Sequence, residues 1–163
     1  MAYQTIKIKK YSDVIEEFTA NGAIIPGMLV EQTPAAATIR THRTASGPQI
    51  PMFALEDELQ GKGIDDTYAS GDKVQVWIAG RGDNVNALLK DEQNIAIGDL
   101  LESDGEGRLQ KHTSAYGDSS TYIYYNQIVG WALEAKDLSS LPEGSESSAG
   151  GIYYHPRILV RIA

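Results

Sequence analysis

The 163-residue chain contains no cysteine, so disulfide bridges and thiolate-held metals have no part in its stability or chemistry. Histidine is scarce as well. His42, His112 and His155 stand far apart, without the i, i+4 spacing that puts two imidazoles on one metal, and structural roles are expected for His42 and His112. Positive charge is in short supply: 14 Lys and Arg face 22 Asp and Glu, a net charge of −8. Nucleic-acid backbones and anionic membrane surfaces select basic proteins, so neither is expected as a partner. No apolar run approaches the ~20 residues that span a bilayer, and the N-terminus lacks the apolar centre of a signal peptide. A soluble, acidic protein made in the cytoplasm is expected, of a length that suits one domain.

Catalytic signatures are missing too. Gly61-x-Gly63 and Gly105-x-Gly107 lack the third glycine and the strand-to-helix setting of a phosphate loop, and no serine sits in a nucleophile elbow. Asp104-Gly105-Glu106 lacks the ligand order of a calcium loop. The acidic stretch holding Glu56, Asp57, Glu58, Asp65, Asp66 and Asp72 is the one place to seek paired carboxylates for acid–base work. A solvated acidic loop is the simpler reading, with a small β-barrel hydrolase as the alternative. Arg81-Gly82-Asp83 spells an adhesive tripeptide, which would make the chain a host-surface module; a glycine turn between strands also accounts for it. No catalytic, cofactor-binding or metal-binding residue is assigned, and the chain is not expected to be an enzyme.

What is present is repetition. Gly27-x-Leu29-Val30-Glu31, followed by His42, returns as Gly98-x-Leu100-Leu101-Glu102, followed by His112. Phe53-Ala54-Leu55-Glu56 returns as Trp131-Ala132-Leu133-Glu134. Val74-x-Val76-x-Ile78-Ala79 returns as Ile158-x-Val160-x-Ile162-Ala163. Three echoes in the same order make duplicated units at 27–79 and 98–163 the expected organisation. Asp104-Gly105 between apolar runs predicts a hairpin with a type I′ turn.

Short alternating runs with Gly-marked turns predict an all-β chain, a small β-barrel or β-sandwich. One short helix is expected over residues 12–21, where Val14, Ile15 and Phe18 make an apolar stripe behind Ser12 and Asp13. Residues 1–25 then form an arm and helix before a single domain at 26–163. Strands are expected at 121–125 (TYIYY) and a mobile loop at 138–151, rich in Ser, Gly and Glu. Trp77, Trp131 and Phe53 are the expected core aromatics. Lys7, Lys9 and Lys10 gather positive charge at the start of an acidic chain, and read as a solvated edge strand or a mobile contact arm.

Residues 51–72 (PMFALEDELQGKGIDDTYASGD), Gly80-Arg81-Gly82-Asp83 and residues 96–112 (AIGDLLESDGEGRLQKH) resemble the head decoration, or capsid cement, proteins of tailed bacteriophages. Residues 129–135 (VGWALEA) and the terminal RILVRIA fit as well, so the resemblance covers most of 26–163. It implies a β-rich virion protein, made in the host cytoplasm, that binds the outer surface of a capsid and stabilises the lattice. It further implies the major capsid protein as partner and a homotrimer as assembly, with no cofactor. Lys7, Lys9 and Lys10 are then candidate capsid contacts, and Glu56, Asp57, Glu58, Asp65 and Asp66 candidate subunit or capsid contacts.

Overall fold

Alternation of apolar and polar residues turns most of this chain into strands, because burying one face of a pleated ribbon needs period two. In Lys73–Ile78, Val74 and Val76 are buried while Lys73 and Gln75 reach outward. A computed structural model describes residues 5–9, 14–113, 127–140, 148–149, 152–153 and 155–163. Its elements are β-strands apart from one 3-10 turn at Glu58–Gln60.

In chain order the strands are β1 (Lys7–Lys9), β2 (Val14–Ala20), β3 (Val30–Gln32), β4 (Thr38–Thr41), β5 (Met52–Ala54), β6 (Lys73–Ile78), β7 (Asn84–Leu88) and β8 (Asn94–Ile95). There follow β9 (Leu100–Ser103), β10 (Leu109–Lys111), β11 (Ile128–Ala132), β12 (Lys136–Asp137), β13 (Ser148–Ala149), β14 (Ile152–Tyr153) and β15 (Arg157–Ile162). One sheet runs β3-β4-β2-β6-β5, and a Leu29–Phe53 bridge joins its two ends into a ring. The larger sheet runs β1-β7-β15-β11-β9-β10, and a parallel Leu89–Leu109 bridge closes β7 onto β10, leaving β1 outside that ring.

The two rings carry the same ladder. Leu29 faces Phe53 in the first, Leu100 faces Trp131 in the second. Ala54 pairs with Val76, Ala132 with Val160. Leu55 N donates to Gln75 O and Leu133 N to Leu159 O, both at 2.9 Å. His42 N donates to Leu29 O at 3.0 Å, as His112 N does to Leu100 O at 2.8 Å. The correspondence also reaches further back than the echoed words, because β2 and β7 match: Ala20 pairs in parallel with Ile39, and Leu89 with Leu109.

That match corrects one expectation. No helix forms over the described part of 12–21; Val14–Ala20 is β2, antiparallel to β6 over six residue pairs. An isolated short helix gains little in water without a face to bury. As a strand the same residues sink Phe18 and Ala20 into the first ring. The turn after Ser103 also differs from a two-residue type I′ turn. Ser103 pairs with Leu109, and Gly105 and Gly107, not two adjacent residues, take the positive φ values.

Two clusters form the core. Phe18, Ile24, Val30, Ile39, Tyr68, Val74 and Val76 fill the first ring. The second gathers Ala87, Leu89, Leu101, Leu109, Ile158 and Val160 from the other ring, together with Leu29, Phe53, Leu55 and Trp77. These last four therefore bury the opposite face of the first ring, which is why β5 is covered on both sides. Trp131, expected in the core, is only half-buried. The expected strand at 121–125 and most of the expected loop at 138–151 lie outside the described residues.

Candidate functional site

Candidate sites divide into residues that the fold consumes and surfaces that it leaves open. The acidic stretch belongs mainly to the first kind. Glu56 accepts from Thr5 Oγ1 at 2.6 Å and Ile6 N at 3.2 Å, which ties down the chain ahead of β1. Asp57 is buried, with Oδ2 2.5 Å from Gln60 Nε2, and its backbone pairs with Lys62. Asp66 Oδ2 accepts from Gly63 N at 2.7 Å, and Asp72 Oδ2 from Ala69 N at 2.8 Å, each closing a turn. Asp65 pairs with Arg157 at 2.6 Å. Glu58 is exposed on the 3-10 turn. The carboxylates are thus parcelled out to separate backbone and side-chain partners rather than aimed at a common point. Among the described residues no group of three or more His, Asp or Glu side chains is placed to hold a metal ion.

Those carboxylates do act on Tyr68. Its ring is buried and its hydroxyl donates to Leu55 O at 3.0 Å. Burial first, then the Asp57, Glu56 and Asp72 charges, push the phenol well above its ordinary range. A raised folded-state value contributes stability that is fully present below about pH 10, the unfolded phenol's value, and is lost as pH rises through the folded one. Urea midpoints measured across alkaline pH should therefore fall more steeply for the native chain than for Tyr68→Phe. Parallel curves would show that Tyr68 does not ionise from a buried state.

The basic N-terminus is in the sheet. β1 lies antiparallel on β7, with Lys7 opposite Val85 and Lys9 opposite Asn84; Lys10 lies outside the described residues. Ile6 is fully buried in the larger core and its carbonyl accepts from Asn86 N at 2.9 Å. The expectation of an arm mobile along its whole length is corrected for residues 5–9: burying Ile6 and pairing Lys7 and Lys9 with β7 outweighs the chain entropy that frees a terminus.

In Arg81-Gly82-Asp83 the aspartate is turned inward. Asp83 is fully buried and its Oδ2 accepts from Gly80 N at 2.8 Å, while Gly82 N bonds Ile162 O. An adhesive tripeptide must present both charges to solvent; here only Arg81 is exposed. The equivalent histidines are structural as well. His42 is buried with Nδ1 2.7 Å from Ser103 Oγ, and His112 Nδ1 lies 2.5 Å from Glu102 Oε2.

One open apolar surface sits on the second ring. Leu29 is 0% exposed because the second ring covers it, whereas its counterpart Leu100 is 45% exposed and Ile97, just before it, 72%. Beside Leu100 a shallow cleft of about 350 Å³ runs past Ile128 to Ala163. Reading the sequence missed this patch, since Leu100 and Leu29 carry the same local pattern. The repeat itself was the available signal: two equal faces on two stacked units cannot both be covered by one contact.

No protein-family model and no curated protein matches the chain. Among solved structures it is similar to the N base of the head fibre protein gp8.5 of bacteriophage phi29, with a TM-score of 0.52 and 14% sequence identity. The likeness covers 93% of this chain and 95% of that one, so the two share a fold over nearly their whole lengths.

Proposed function

We propose that this chain is a structural protein of a tailed-phage virion that binds the outer surface of the capsid and reinforces the lattice. The observation that carries the reading is the fold shared end to end with a head fibre base. It is supported by the resemblance of residues 51–72 and 96–112 to capsid cement proteins, and by an acidic stretch whose carboxylates hold turns and neighbours. The partner is the major capsid protein, the assembly a homotrimer, and no catalytic step is involved. A ligand that binds only the intact lattice stabilises it by RT ln(1 + [L]/Kd) per site, and three linked contacts add avidity.

Quantitative mass spectrometry of purified particles, with cryo-electron microscopy, tests this. The chain should occur at a fixed ratio to the capsid protein, as threefold density on the outside of the head. Its absence from purified particles would overturn the reading, and density of another symmetry would overturn the trimer.

A further inference from the structure

The two rings differ at one edge. In the second ring, β7 carries β1 along Asn84–Asn86, where Asn86 N donates to Ile6 O at 2.9 Å. The corresponding stretch of the first ring is the N-terminal half of β2. There Thr19 N donates to Ala37 O at 2.8 Å and β4 begins opposite Thr19, so residues 14–17 overhang the ring.

The neighbours fix which way this overhang points its main chain. Gln75 O accepts from Leu55 N, so the polar groups of Gln75 face β5. Glu17, opposite Gln75, therefore turns its N–H and C=O away from β6, and Ile15, opposite Trp77, does the same two residues earlier. Asn86 shows this orientation in the other ring, where β1 meets it. Among the described residues nothing pairs with the outward groups of Ile15 and Glu17.

An edge of this kind is a template for an added strand. Its charge selects which strand: Glu16 and Glu17 are exposed carboxylates, Glu17 with Lys73 Nζ 3.8 Å away in a solvent-exposed pair, and together they disfavour an acidic segment and favour a basic one. The strand that the second ring accepts is Lys7-Ile8-Lys9, preceded by the buried Ile6. We infer that the β2 edge over residues 14–17 docks an extended segment of a partner polypeptide in which lysines alternate with β-branched residues. Among the described residues the chain's own copy of that chemistry is committed to β7, and the segment is assigned to another molecule. The inference does not depend on the virion role: absence from particles would leave it standing.

The test uses the full chain, labelled for NMR, and the peptide Thr-Ile-Lys-Ile-Lys-Lys that copies residues 5–10. Saturable shifts and slowed amide exchange are expected at Ile15 and Glu17. Glu16→Lys with Glu17→Lys should weaken binding several-fold, with added salt narrowing the gap. Glu17→Pro removes an outward donor without removing a β2–β6 hydrogen bond, and should weaken binding about tenfold. Changes confined to Asn84–Asn86, meaning exchange with the resident β1, would overturn the site. So would an equal response to Thr-Ile-Glu-Ile-Glu-Glu, or no saturable change at millimolar peptide.

Discussion

Replacing Arg157 by alanine is expected to lower the unfolding free energy by about 3 kcal/mol. The guanidinium joins the two rings. Its Nη1 reaches Asp65 Oδ1 at 2.6 Å and His155 O at 3.2 Å, and its Nη2 reaches Pro26 O at 3.1 Å and also Ile64 O. Ile64 and Asp65 belong to the first repeat and Pro26 directly precedes it, while His155 belongs to the second. The arginine side chain is only 9% exposed, so truncation removes the guanidinium from three carbonyls and a partly covered carboxylate. Lysine cannot reproduce the planar fork, and Arg157→Lys should recover only a minor part. Asp65→Asn should cost less, about 1 kcal/mol, because the carbonyl contacts survive it. Urea midpoints at constant slope measure all three. Equal losses for Arg157→Ala and Asp65→Asn would mean that the ion pair, not the carbonyl clamp, holds the repeats together.

The second large effect is expected at Gly130 on β11. A β-carbon there would lie 2.1 Å from Arg161 O and 2.8 Å from Val160 Cγ1, on the partner strand β15. The nearest obstacle is main chain and cannot rotate aside, so Gly130→Ala must push the two strands apart. Overpacking of this kind costs about 3 kcal/mol, or ~6–12 °C in melting temperature for a chain of this length. The corresponding position of the first ring is Met52, opposite Ile78 as Gly130 is opposite Ile162. The ladder carries a side chain there in one repeat and excludes it in the other, at the position where β11 also shifts register against β9, between Ile128 and Gly130. A Gly130→Ala protein melting within ~2 °C of the native chain would show that β11 and β15 do not approach so closely.

Both effects concern how the repeats fit together, and this is where reading the sequence reached its limit. The ordered echoes place Leu29 with Leu100, Leu55 with Leu133 and Val76 with Val160, and period-two alternation identifies β6, β7 and β15. Those are local properties, written in residue spacing. The helix expected at residues 12–21 was a local property too, and it was overruled from a distance. Val14, Ile15 and Phe18 satisfy a helical stripe, but β6, some sixty residues on, offers a ladder and a core that a lone helix cannot match.

The acidic residues are legible as a group and illegible one by one. Asp57, Asp66 and Asp72 were read as loop surface, yet each holds a turn or a neighbouring side chain, because their partners are set by loop geometry that composition does not encode. The sequence by itself determined that this is an acidic, cysteine-free, strand-rich chain that repeats one pattern of apolar words. Which copy of that pattern is buried was decided only in three dimensions. Leu29 and Phe53 lie in the dry interface while Leu100 and Trp131 face outward, since one ring stacked on another covers a single face of the pair. Local physics makes two equal units, and packing makes them unequal.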